Sequence, residues 1–161
     1  MNGDKFKYDY IRYNHYLVLR PNVLLKLILC FLCKDVFLIL VIGASAFKGG
    51  GGGSLSDLMD LVRPIFFLAN IPTLAVLYAW SARRPNAPSL PRSIWKNGRS
   101  LILLSLALYV FLLLFERGWS ISSLSTVDWC AVAINIIIAG YILLSNLVRD
   151  IFSQFPEPGL K

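Results

Sequence analysis

Hydrophobic residues fall in four long runs along this chain, at 23–47, 64–81, 101–115 and 129–147, separated by polar or glycine- and proline-rich stretches. A bilayer core about 30 Å thick asks for roughly 20 mostly apolar residues per helix. The runs are near that length, so the pattern predicts an all-α membrane fold of four transmembrane helices. No Gly or Pro lies between Asn22 and Ile42, and one continuous tilted helix is expected over the first run. Pro72 in the second run is expected to kink its helix, because proline removes a backbone hydrogen bond. The third run is almost purely aliphatic and aromatic and is expected to extend into Ser100 and 116–119.

The connecting stretches have their own chemistry. Residues 1–21 carry Phe6, Tyr8, Tyr10, Tyr13, His15 and Tyr16, amphipathic rings that suit a membrane–water interface. Arg20-Pro21 then punctuates the entry to the first helix. Gly49 to Gly53 with Ser54 reads as a flexible connector. Ser54 and Asp57 suit a capped helix start for a short interfacial stretch over 55–62, and Ser125 with Asp128 suits a second. The segment 82–99, with Pro85, Pro88 and Pro91, reads as a loop, and Arg149 with a Pro/Gly tail follows the fourth run. Four spans and their connections fill residues 1–161 as a single integral membrane domain. The first span is expected to act as an uncleaved insertion signal, since its apolar run is longer than a signal-peptide core.

Composition strengthens this reading and charge orients it. The chain is 57% hydrophobic and 16% charged, against about 45–50% and 25% in soluble domains. The net charge of +7 is not spread evenly. In the N-terminal segment up to Lys26, Lys5, Lys7, Arg12, Arg20 and Lys26 outweigh Asp4 and Asp9, and Arg83, Arg84, Arg92, Lys96 and Arg99 stand unopposed between the second and third spans. The other two connections carry no positive excess, Lys48 and Arg63 standing against Asp57 and Asp60, then Arg117 against Glu116 and Asp128. The positive-inside rule therefore places the N-terminus, the 82–99 segment and the C-terminus in the cytoplasm. Trp80 and Trp95 flank the inner connection and Trp119 and Trp129 the outer one, as interfacial anchors would. Basic residues set beside apolar runs argue against nucleic acid, which calls for a basic face on a soluble fold.

Few residues are candidates for chemistry. Asp35 falls near the middle of the first span, where a charge costs at least about 2.5–3.5 kcal/mol and usually faces protein. Its neighbour Lys34 projects about 100° away on a helix, so the two are not expected to pair, and Lys34 is free to snorkel toward the cytoplasmic side. Asn70, Tyr109 and Asn135 lie at similar depths in the other spans, so Asp35, Asn70, Tyr109 and Asn135 form a candidate intramembrane polar cluster. It would serve as interhelical glue or as a proton or small-solute site. A third arrangement, with Lys34 and Asp35 at the interface, leaves only a dozen residues to span the bilayer.

Cys30 and Cys33 share a CxxC spacing within an apolar helix, with no second pair and no nearby His, and pack best as small hydrophobes; Cys130 lies near the other face. The lone His15 reads as an interfacial ring and leaves no ordinary metal-ligand set. The glycine run lacks the Lys-Ser/Thr of a P-loop. No cofactor, metal or catalytic constellation is expected. Arg83, Arg84, Arg92, Lys96 and Arg99 are candidates for contact with anionic lipid headgroups, or are simply the topology signal.

Phe6-Lys7-Tyr8-Asp9-Tyr10, then Leu17-Val18-Leu19-Arg20-Pro21 leading into a long apolar helix, resembles the YfeZ-like family of bacterial inner-membrane proteins, a domain of unknown function. Gly43-Ala44-Ser45, Ile71-Pro72 and the Arg-Arg inner connection are similar too, while the five-glycine run departs from the pattern. The resemblance implies an inner-membrane location and a fold, and no activity. The expected role is a non-enzymatic membrane subunit or accessory protein, in contact with lipid and with other membrane subunits or copies of itself. The alternative is a small oligomeric transporter or channel built around Asp35.

Overall fold

The computed structural model describes residues 8–14, 16–47 and 64–156. His15, the glycine connector and the capped stretch over 55–62 lie outside the described residues.

Asn22 starts the first helix, α1 (Val23–Leu32), by accepting the Leu25 N–H on its side-chain oxygen at 2.8 Å. Leu25, Ile28, Leu29 and Leu32, at helical spacing, turn one face into the core. The expected continuous helix is not formed. The chain breaks at Cys33 and resumes as α2 (Lys34–Phe47), bent by 60° from α1. Cys33 leaves the helical basin at φ −97°, ψ 12°, and its N–H is shared between the Leu29 and Cys30 carbonyls at 3.1 and 3.2 Å. The break moves Asp35 from the interior of one helix to the first turn of another. There its carboxylate meets the positive end of the helix dipole. The charge pair, rather than a Gly or Pro, marks the bend.

A 3₁₀ turn (Pro64–Phe66) leads into α3 (Phe67–Ser81), which carries Pro72 inside it. Helix α3 has 15 residues and the turn 3; together they rise roughly 28 Å. The segment 82–99 is not a plain loop, since it contains α4 (Ser89–Lys96). Then come α5 (Gly98–Glu116) and α6 (Thr126–Leu144), each of 19 residues. Helix α6 opens on the capping box anticipated at Ser125 and Asp128, and Arg117 reaches across to Asp128 at 2.6 Å. A turn at Ser145, which accepts the Val148 N–H, starts α7 (Asn146–Ser153), where the sequence suggested only a tail.

The described residues are all-helical apart from one isolated β-bridge, between Tyr13 and Leu19. Two helices, α5 and α6, are long and apolar enough to cross a membrane, and the bent α1–α2 pair makes a third if it counts as one span. Helix α3 packs along α5, and α6 also packs against α5. Val76 and Ala79 of α3, Ile102 and Leu106 of α5, and Ile138 and Ile142 of α6 close the core with the α1 face.

One end of this bundle is capped by three segments distant in sequence. Trp95 of α4 is fully buried and donates its indole N–H to the carbonyls of Ile151 and Gln154, each at 3.0 Å. Its ring packs on Phe152 at 4.8 Å, and the Arg83 guanidinium lies 4.6 Å above it. Trp95 is therefore the centre of the cap and not an interfacial anchor, whereas Trp119 and Trp129 at the other end are more than half exposed. Helix α7 joins through Val148, Ile151 and Phe152, all buried. Gly98 lets it come close, since a Cβ there would stand 2.4 Å from the Phe152 ring. The N-terminal segment completes the cap. Leu19 donates its N–H to Gln154 Oε1 at 2.9 Å, and the Tyr8 hydroxyl donates to Asp150 at 2.8 Å.

Candidate functional site

The bend at Cys33 assembles the polar cluster. Asp35 Oδ2 accepts from Asn70 Nδ2 of α3 at 3.1 Å and pairs with Lys34 Nζ at 3.4 Å. The expectation that Lys34 and Asp35 would diverge fails because both stand in the first turn after the break, where the long lysine chain folds over onto its neighbour. Lys34 does not snorkel away. Its ammonium lies 4.9 Å from the Tyr109 ring centre and 5.4 Å from that of Phe31, a placement that favours a cation over an aromatic face. Tyr109 in turn packs on Phe66 at 4.8 Å. Asp35, Asn70 and Tyr109 thus meet around Lys34, and Asn70 is buried.

Asn135 does not join them. It is buried on α6, donates to the Ala131 carbonyl of its own helix at 2.7 Å, and leaves its Oδ1 without a partner. Matched depth alone did not set which face of α6 it occupies.

Two hydroxyls missed from the sequence extend the polar seam. Thr73, one turn beyond Asn70, is fully buried and donates to Ser105 Oγ of α5 at 2.8 Å. Ser105 in turn donates to the Ala69 carbonyl, next to the Leu68 carbonyl that Pro72 leaves without its helical donor. The signal was present as spacing: Thr73 follows Asn70 by three residues, and Ser105 precedes Tyr109 by four. Such bonds between membrane helices each contribute about 0.6 kcal/mol on average. The seam can hold three helices in register, and its one carboxylate carries the only acidic group among the residues that form it.

The five cationic residues at the capped end separate into two groups. Arg83 donates to the Leu19 carbonyl at 2.9 Å and the Gln154 carbonyl at 2.8 Å. Burial pushes its guanidinium down to about 10, so it stays a cation at neutral pH. Arg99 donates to the Ile142 and Leu143 carbonyls at the C-terminal end of α6, where a positive charge complements the helix dipole. Arg92 donates to the Pro85 carbonyl and lies 5.2 Å from the Phe155 ring. These three are structural ties of the cap, while Arg84 and Lys96 are exposed.

Cys33 is buried at the bend, whereas Cys30 and Cys130 are exposed, and all three are free thiols. Among the described residues no group of His, Cys, Asp and Glu is placed to hold a metal ion.

No curated protein and no solved structure matches this chain. A family model does match, over residues 8–154, and it takes in the capped end, the bend and the polar seam together. The chain belongs to the family described as "Protein of unknown function (DUF2919)".

Proposed function

We propose that this chain is a bacterial inner-membrane protein of four spans: the bent α1–α2 pair, α3 with its leading 3₁₀ turn, α5 and α6. The N-terminal segment, the 82–99 connection and the C-terminal segment are then all cytoplasmic. What supports this is the meeting of those three segments around Trp95, since an even number of crossings brings them to one side. Arg12, Arg20, Arg83, Arg84, Arg92, Lys96, Arg99 and Arg149 belong to those segments, as the positive-inside rule asks. The exposed residues Ser89 and Ser122 test it, in a background with the three cysteines replaced by alanine. Ser89→Cys is expected to label only from the cytoplasmic side and Ser122→Cys only from the opposite side. Labelling of both from one side would overturn the topology.

Within that membrane the role proposed is that of a non-enzymatic subunit or accessory protein of a larger assembly. The observation that carries it is the internal use of the polar seam. Asp35 is met by Lys34 and Asn70, Thr73 by Ser105, and Ser105 by a backbone carbonyl, which is the arrangement of groups that hold helices together. One observation favours the rival, a small oligomeric transporter or channel. The first span is a broken helix with its only carboxylate at the break, and discontinuous helices of that kind hold ions in transporters. Extraction in mild detergent is expected to yield a complex of defined stoichiometry, and vesicles holding the purified chain are expected to take up neither protons nor small cations. Uptake that Asp35→Asn abolishes would establish the rival instead.

A further inference from the structure

Arg12 and Arg20 stand opposite each other across the small N-terminal turn. The Arg20 N–H donates to the Arg12 carbonyl at 2.8 Å, next to the Tyr13–Leu19 bridge. Their side chains, with Asn22 and Leu147, line a cavity of about 290 Å³. Asn22 is already committed, to Leu25 through its oxygen and to the Tyr141 hydroxyl through its nitrogen. The two guanidiniums are not: neither has a carbonyl or carboxylate partner among the described residues. This sets them apart from Arg83, Arg92, Arg99 and Arg117, which are engaged. The cavity is at the small end of the range for ligand pockets, roughly 300–1,000 Å³, which suits a headgroup and not an acyl chain.

The chain next to these arginines presents exposed apolar side chains. Leu17 has φ +56°, a left-handed conformation that leucine rarely adopts, and it is 47% exposed. The turn that imposes this is built on Asn14, whose side-chain oxygen accepts the Tyr16 and Val18 N–H groups at 3.0 and 3.2 Å. Ile11, just before Arg12, and Val23, just after Asn22, are more exposed still. Apolar side chains presented beside unengaged arginines match a segment whose aliphatic groups enter the acyl region while its cations stay at phosphate level. A guanidinium fork also fits a phosphate with two parallel hydrogen bonds. We propose that Arg12 and Arg20 form a binding site for the phosphate of an anionic phospholipid headgroup. The site rests on the reading that this end of the chain lies at a membrane face.

The test uses the full chain purified in mild detergent, with native mass spectrometry reading bound phosphatidylglycerol, phosphatidylcholine or inorganic phosphate. Wild type is expected to retain phosphatidylglycerol in preference to phosphatidylcholine. The double variant Arg12→Ala/Arg20→Ala is expected to bind it about thirtyfold more weakly, roughly fivefold for each arginine near the surface. Arg84→Ala/Lys96→Ala, which removes as many exposed cations from outside the cavity, is expected to weaken binding less than the cavity pair does, and an equal loss would overturn the proposal. Leu147→Trp keeps both arginines and fills the cavity, so it should also lose the lipid, with circular dichroism confirming an intact fold. Undiminished phosphatidylglycerol binding in both cavity variants would overturn the proposal. So would displacement of the lipid by an equal concentration of inorganic phosphate, which would assign the cavity to soluble phosphate. Failure of the chain to insert into bilayers would instead overturn the membrane reading on which the site rests.

Discussion

Trp95→Ala is expected to lower the stability of the extracted protein by about 3–5 kcal/mol, the range for truncating a buried aromatic residue. The indole is fully buried, and its N–H reaches two carbonyls, those of Ile151 and Gln154, the second of which Arg83 also serves. Removing it leaves a cavity between Arg83 and Phe152 and takes the indole donor from the Ile151 carbonyl, while Gln154 keeps Arg83. The loss should be local before it is global. Helix α7 has only eight residues, too few to hold together without the packing of Val148, Ile151 and Phe152. Hydrogen exchange over residues 146–155 should therefore accelerate while the middles of α5 and α6 stay protected. Trp95→Phe keeps much of the ring and discards the donor, and should cost about 1–3 kcal/mol. Trp129, half exposed at the other end, is the control. If Trp129→Ala proves as damaging as Trp95→Ala, the cap does not have the central place assigned to it.

How far such features are legible in sequence depends on what decides them. Helices α5 and α6 are decided by composition, as nineteen-residue apolar runs, and the capping box at Ser125 and Asp128 is decided by local spacing. Both are visible without a fold. Helix α4 is hidden by its prolines, yet Pro88 precedes it and Pro91 lies in its first turn, where a missing N–H costs no helical bond. The burial of Trp95 is invisible for another reason. An interfacial tryptophan and a core tryptophan look alike until the segments that cover them are placed. In the polar seam, depth matching brings Asp35 to Asn70 and Tyr109 but says nothing of rotation about a helix axis, so it also draws in Asn135, which faces elsewhere. The Cys33 bend resists reading because the residue that breaks the helix is neither Gly nor Pro and the stabilisation comes from Asp35 at the new helix start.

That account of the bend makes Lys34 and Asp35 a unit, with measurable consequences. Asp35→Ala leaves the Lys34 ammonium without its carboxylate and Asn70 without its acceptor. An unpaired, fully lipid-exposed lysine at mid-membrane costs at least about 2.5–3.5 kcal/mol. The Lys34 side chain is 39% exposed and keeps the Tyr109 and Phe31 rings, so the cost should fall at or below the lower figure. Lys34→Ala should cost less, because Asp35 retains Asn70 and the positive end of α2. The double variant removes both charges and should be more stable than Asp35→Ala alone. The coupling between the two sites should fall within about 0.5–3 kcal/mol, as for other residues in direct contact. Equilibrium unfolding in mixed detergent micelles, run on all four proteins, measures it. Strict additivity would mean that the two charges sit in one turn without acting on each other, and the bend would need another cause.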